Sequence, residues 1–271
     1  MNMKIPGGGV ALIITTYNRP DALAAVLRSV AAQTVLPAEV IVADDGSTAA
    51  TRELIEKFQP SFPAPISHCW QEDAGFRLAT IRNKAVARAT ADYLVMIDGD
   101  MWLHRHFIRD HCRARRAGQF VQGRRVLLTA EKSREIIATP DARRLHWLSS
   151  GIKNRLNALC LPALSPLTSK ILSRQTHRGT RGCNLGFWRR DVVAVNGFNE
   201  AFVGWGREDS EFVARLLHRG VRRMDLRLGG VAYHLFHHEN DRAALPANDQ
   251  ILATTVAQKA TFCPAGIDRY L

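Results

Sequence analysis

Between Val10 and Ile97 the chain alternates short apolar runs with segments of helical period, and this pattern restricts its fold more than any other feature. The runs Val10 to Thr15, Val40 to Ala43, Ile66 to Trp70 and Tyr93 to Ile97 have the length and composition of strands. Between the first two, Leu23, Val26, Leu27 and Val30 recur at helical spacing behind Pro20, a residue the first turn of a helix tolerates. A second helix fits Thr48 to Phe58 and a third Thr80 to Thr90. Strands and helices in this succession are βαβ units, so an α/β fold on a mostly parallel sheet is expected. With 271 residues, 46% of them hydrophobic, the chain can bury a large core. No linker interrupts it, and a single domain is expected over 1–271.

Polar residues cluster just behind the strands: Thr16-Tyr17-Asn18-Arg19, Asp44-Asp45-Gly46-Ser47 and Asp98-Gly99-Asp100. In an open α/β sheet that edge is where ligands bind. Asp98 and Asp100 leave an apolar strand with one glycine between them, a pair of oxygen donors suited to Mg²⁺ or Mn²⁺, although Asp and Gly also favour a plain turn. Gly204-Trp205-Gly206-Arg207-Glu208-Asp209-Ser210-Glu211 sets a tryptophan between glycines ahead of an acidic helix start. Helix capping accounts for the acids, while a glycine-flanked Trp fits stacking on a sugar better than it fits a core. That helix should run from Glu208 to Arg219. Tyr233-His234-Leu235-Phe236-His237-His238-Glu239-Asn240 places histidines at the end of a strand expected over Val231 to Phe236, either as metal ligands beside carboxylates or as a solvated strand end. Each cluster has an ordinary explanation alone; a metal site needs all three to converge.

From Asp141 to Arg181 the chain changes character, mixing Trp147, Ile152, Leu156, Leu159 and Leu164 with Arg143, Arg144, Lys153, Arg155, Lys170 and Arg174. This basic amphipathic insertion, about 140–181, fits a mobile lid, a contact with an anionic membrane or phosphorylated glycolipid, or a solvated helix pair on the sheet. Arg181 and Gly182 to Asn184 open a strand, Gly182 to Phe187, that could line a ligand pocket. The net charge of +12 predicts attraction to polyanions without choosing among them. Five cysteines, odd in number and never in a CxxC arrangement, point to neither a disulfide framework nor structural zinc, and so to a reducing cytosol. The apolar run behind Gly7-Gly8-Gly9 is too short for a signal peptide or membrane span, so a soluble or peripherally attached protein is expected.

The segments Ile13-Ile14-Thr15-Thr16-Tyr17-Asn18-Arg19, Val42-Ala43-Asp44-Asp45-Gly46-Ser47-Thr48 and Asp98-Gly99-Asp100, in this order, resemble the family 2 glycosyltransferases of GT-A fold. Gly204-Trp205-Gly206-Arg207-Glu208-Asp209 is similar to the C-terminal motif of β-1,4-galactosyltransferases and bacterial chondroitin-type polymerases. The resemblance implies a Rossmann-like nucleotide-binding half at about 8–125 and an acceptor-binding, catalytic half at about 182–271. It implies that Thr16, Tyr17, Arg19, Asp44 and Asp45 frame the nucleotide of a UDP-sugar, with Arg82, Asn83 and Gly99 close to the donor. Asp98 and Asp100 would hold Mn²⁺ or Mg²⁺ on the diphosphate with His234, or else His237, completing the sphere. Asp209 is the expected base, Glu208 its acceptor-orienting partner, and Trp205, Gly206 and Arg207 the acceptor platform.

Inverting transfer of a hexose or N-acetylhexosamine to a glycan or glycolipid is the reaction this implies, in bacterial surface polysaccharide such as lipopolysaccharide or capsule, on the cytosolic side of the inner membrane. A nucleotidyltransferase would share the acidic sheet edge but should carry a Gly-rich phosphate loop where Thr-Thr-Tyr-Asn-Arg stands. A non-enzymatic basic protein binding nucleic acid or membrane explains the charge but not the spaced acids. No nucleic-acid partner is therefore expected.

Overall fold

A computed structural model describes residues 9–138, 145–238 and 241–271. Asp141, Arg143 and Arg144 of the expected insertion, Glu239 and Asn240 of the histidine segment, and Gly7 and Gly8 lie outside the described residues. The four apolar runs are strands within about a residue of their expected ends: β1 (Val10–Thr16), β2 (Glu39–Asp44), β3 (Ile66–Trp70) and β4 (Tyr93–Asp98). Helices α1 (Pro20–Ala31), α2 (Ala49–Phe58) and α3 (Leu78–Arg88) connect them, α3 starting and ending two residues earlier than expected because Ala89 is already extended. β1 pairs in parallel with both β2 and β4, and β2 with β3.

Alternation along these strands divides the core between two faces. Ile13, Ile41, Ala43 and Met96 pack with Ile81 and Ala85 of α3 on one side; Leu12, Ile14, Val42 and Val95 pack with Leu23, Val26 and Leu27 of α1 on the other. Each large apolar side chain buried in this way contributes about 1.5–3 kcal/mol.

Past β4 the chain adds β5 (Met101–Leu103), α4 (Phe107–Ala114), β6 (Gln119–Gln122), β7 (Arg125–Leu127), α5 (Ala130–Ala138) and α6 (Ser165–Leu172). It continues with β8 (Asn184–Trp188), α7 (Arg189–Ala194), α8 (Glu208–His218), β9 (Arg222–Asp225), β10 (Ala232–His234) and α9 (Leu245–Ala257). The main sheet has the order β3-β2-β1-β4-β8-β6-β9, and β8 alone runs against the rest. It is therefore mostly parallel, as the sequence predicts. The strand expected over Val231 to Phe236 is shorter and does not join it: β10 sits between β5 and β7 in a second, three-stranded sheet. Its apolar residues Tyr233 and Leu235, with Trp102 and Val126, close a separate core under α1 and α5.

Several elements carry no period that sequence reading could detect. α9 buries only Asn248 and Thr255, and α4 buries Asp110 and His111 beside Phe107 and Ile108. No helix among the described residues is long and apolar enough to cross a membrane. None of the five cysteines is bonded to another.

Candidate active site

The carboxyl end of β4 meets the amino end of β8, with Ile97 opposite Asn184, and the polar segments gather around that junction. Gly99 makes the turn between β4 and β5. Its N–H donates to the Thr15 carbonyl at 2.6 Å, and a Cβ there would lie 2.9 Å from that oxygen. Only glycine lets the two acids leave the sheet this close to β1.

The small sheet then brings the histidines. β10 pairs antiparallel with β5, His234 opposite Met101, and the Leu235 N–H donates to the Asp100 carbonyl at 2.9 Å. Asp100 Oδ2 consequently lies 3.7 Å from His234 Nε2 and 3.3 Å from His237 Nε2, with Arg19 Nη1 at 3.7 Å. The ligand atoms of Asp100, His234 and His237 all fall within 4.8 Å of one another.

Three observations fit this cluster to a divalent cation. Asp100 Oδ1 is buried with no hydrogen-bond partner. His237 Nδ1 lies 2.5 Å from the His238 carbonyl, which can only accept, so Nδ1 carries a proton and in the neutral ring Nε2 turns a lone pair toward the carboxylate. In that neutral form two acceptors face each other at 3.3 Å, an arrangement that a proton or a cation between them satisfies. Burial also lowers the pKa of His234, favouring the neutral, ligating imidazole, and raises that of Asp100 against the opposing pull of His234. An oxygen and two imidazole nitrogens suit a divalent transition-metal ion.

Asp98 stands beside this cluster and faces a second one. Its Oδ1 accepts from Thr15 Oγ1 at 3.0 Å and from Arg82 Nη2 at 3.5 Å. Buried Arg82 reaches across to Glu208 Oε1 at 2.9 Å, and so ties the metal edge to the head of α8. Burial, and then the charge of Asp209, push the Glu208 carboxyl up to about 7 against the opposing pull of Arg82. Asp209 is half-buried; its Oδ2 accepts the Gly182 N–H at 2.7 Å and its Oδ1 the Ser210 N–H at 2.6 Å. Arg207 enters α8 in the left-handed region at φ 77°, after Gly206 at φ 105°, a strained approach of the kind concentrated at functional sites. Trp205 is partly exposed, with Arg242 over its ring at 5.5 Å.

The remaining expected donor residues divide. Arg19 lies at the cluster and Thr16 packs under Gly99. Exposed Tyr17 donates its hydroxyl to Asp73 at 2.9 Å. Asp44 is spent on His68 Nε2 and the Ser47 N–H, both at 2.8 Å, and Asp45 on Gln71 Nε2 and the Arg77 N–H. Asn83 is fully buried, its amide bonded to Phe198 and Glu200, so it builds the wall behind Arg82. Sequence reasoning placed Gly182 at a pocket wall but not as a donor to Asp209, and it missed Thr15 and Asn248. Asn248 donates from α9 to the carbonyls of Val203 at 3.3 Å and Gly206 at 3.0 Å and so shapes the Trp205 loop. A backbone donor or a structural amide leaves no mark in sequence.

An α/β sheet with acids and imidazoles at the strand ends is the architecture of GT-A enzymes, and solved structures agree. The chain superposes on a mannosyltransferase, PcManGT from Pyrobaculum calidifontis in complex with GDP-Man and Mn²⁺, with TM-score 0.60 and 17% identity, covering 93% of this chain and 64% of that one. On the S. aureus TarS fragment 1–349 in complex with UDP-GlcNAc the TM-score is 0.62 at 16% identity, covering 97% and 69%. Residues 11–141 match the model of glycosyl transferase family 2, and residues 168–238 the model described as the N-terminal domain of galactosyltransferase. Residues 11–141 therefore form a segment of glycosyl transferase family 2 type, and residues 168–238 one of galactosyltransferase type. Chondroitin synthase of Escherichia coli is 27% identical over 253 residues, 87% of this chain. The chain spans 36% of that relative's length.

Proposed function

We propose that the chain is a metal-dependent, inverting glycosyltransferase that moves a hexose or N-acetylhexosamine from a UDP-sugar to a glycan or glycolipid acceptor in bacterial surface polysaccharide synthesis, at the cytosolic face of the inner membrane. The observation that carries this reading is the convergence of Asp100, His234 and His237 beside an acidic pair, Glu208 and Asp209, joined to them through Arg82 and Asp98. A cation held by Asp100, His234 and His237, with Asp98 alongside, would neutralise charge developing on the leaving diphosphate. Arg19, 3.7 Å from Asp100, adds a fixed positive charge at the same edge. Thr16 and Tyr17 border the nucleotide, and Asp44 and Asp45 hold the loops that shape its rim.

Asp209 takes the proton from the acceptor hydroxyl, its carboxylate oriented by the Gly182 and Ser210 N–H groups. Glu208, fixed by Arg82, positions the acceptor beside it, and Trp205, with Gly206 and Arg207 following it, offers its ring face to the acceptor sugar. Support for UDP and manganese comes from the solved neighbours, TarS in complex with UDP-GlcNAc and PcManGT with Mn²⁺. Calorimetric titration with UDP and Mn²⁺ tests the reading: binding is expected to require the metal and to disappear in Asp100→Ala. Metal-dependent UDP binding that survives this substitution rules out Asp100 as a ligand. A screen of UDP-sugars for slow metal-dependent hydrolysis then identifies the donor without a known acceptor.

A further inference from the structure

Helix α6 is amphipathic in the reverse sense for a helix on a protein surface. Its serine edge faces inward: Ser169 is 1% exposed and its Oγ accepts the Arg227 N–H at 3.1 Å, while Ser173 Oγ accepts the Asp225 N–H at 2.8 Å. The hydroxyls thereby satisfy the end of β9 at its open edge and the segment that follows it. Leu164, Leu167 and Ile171, at helical spacing, face outward and are 51%, 59% and 68% exposed. A helix docked on a globular core turns such a stripe inward; one facing out marks a surface that meets something apolar.

The charge around it says what. No acidic residue occurs between Asp141 and Asp191, and Lys170, Arg174 and Arg178 lie on or just after the helix. Between α6, α4 and β9 lies a cavity of about 370 Å³, with Ala114, Met224 and Leu226 in its wall and Arg113, Lys170 and Arg222 among its cations. These three make no ion pair among the described residues. The one acid lining the cavity, Asp110, is already engaged by Arg109 and the Gly230 N–H.

We propose that this face docks on an anionic lipid bilayer, with Leu164, Leu167 and Ile171 in the acyl boundary, Lys170 and Arg174 among the headgroups, and a headgroup phosphate in the cavity. A second copy of the chain is a poorer occupant, since self-association would press one cationic surface against another. The surface is built from residues outside the donor site, so this inference does not depend on the transferase reading.

Co-sedimentation of the protein with vesicles tests it without nucleotide. The protein is expected to pellet with phosphatidylcholine vesicles containing phosphatidylglycerol, to stay in solution with phosphatidylcholine alone, and to be released at high salt. Leu167→Ser with Ile171→Ser, and separately Lys170→Glu with Arg174→Glu, should each lower the bound fraction about tenfold. Thermal melting and Mn²⁺-dependent UDP binding of both variants should match the wild type, separating lost docking from a lost fold or donor site. Failure to pellet with the anionic vesicles, or variants that pellet as the wild type does, overturns the proposal. So does a wild-type dimer in gel filtration that the Leu167→Ser, Ile171→Ser variant dissolves while vesicles bind neither protein.

Discussion

Asp209 and Glu208 are chemically similar neighbours that their surroundings put to different uses. Asp209 stays half-open to solvent, with two backbone N–H groups directing its carboxylate, whereas Glu208 is buried against Arg82. Asp209→Asn is expected to lower kcat by about 10²–10⁴ while leaving UDP affinity intact, as steady-state kinetics and calorimetry would show. A matching fall in UDP affinity would move Asp209 into the donor site. For Glu208 the consequence appears in stability. Burial raises its carboxyl from the ordinary 4.5 to about 7, so the folded protein holds that proton more tightly than the unfolded chain. The resulting stabilisation is complete below pH 4.5 and is lost as pH rises through about 7. Relative to the wild type, Glu208→Gln should therefore gain on the order of 1–3 kcal/mol between pH 4.5 and 8, measured by melts across that window. The acids themselves were legible in sequence because their types and spacing are unusual. Their different environments were not, since Arg82 lies 126 residues from Glu208 and the Gly182 donor is main chain.

At the scale of elements, α9 shows how a segment without an apolar period can still govern a site. It presents polar Asn248 to the Trp205 loop, holding the carbonyls of Val203 and Gly206 while Arg207 pairs with Asp249. Asn248→Ala removes both hydrogen bonds, leaving the part-buried carbonyls to solvent, and should cost about 0.5–1.5 kcal/mol in denaturant unfolding. The same variant should raise the KM for acceptor with UDP affinity unchanged; equal losses for both would mean the loop serves the donor too. The first four strands and three helices were readable because every one shows an apolar run or a helical stripe. α4, β6, β9 and α9 were not: they are short, or they bury polar groups such as His111, Asp110, Arg223 and Asn248, whose partners Asn184, Gly230, Asp225 and the Trp205 loop come together with them only once the chain is folded.

For the molecule as a whole, a site assembled from β1, β4, β10 and α8 predicts that ligand binding stabilises the entire fold. UDP with Mn²⁺ at about a hundred times its Kd should add about 2.7 kcal/mol, seen as a rise in Tm that EDTA abolishes. UDP raising Tm equally in the presence of EDTA would separate nucleotide binding from the metal cluster. The sequence by itself determined the parallel α/β half, the edge at which polar residues gather and the carboxylate and imidazole types found there, because periodicity and composition are local properties of the chain. Only the tertiary structure decided that His234 and His237 both meet Asp100, that Asp44, Asp45 and Asn83 spend their polar atoms inside the protein, and that α6 turns its leucines outward. Those outcomes depend on strand pairing and on which donors and acceptors remain unsatisfied at long range. One-dimensional spacing holds no record of either.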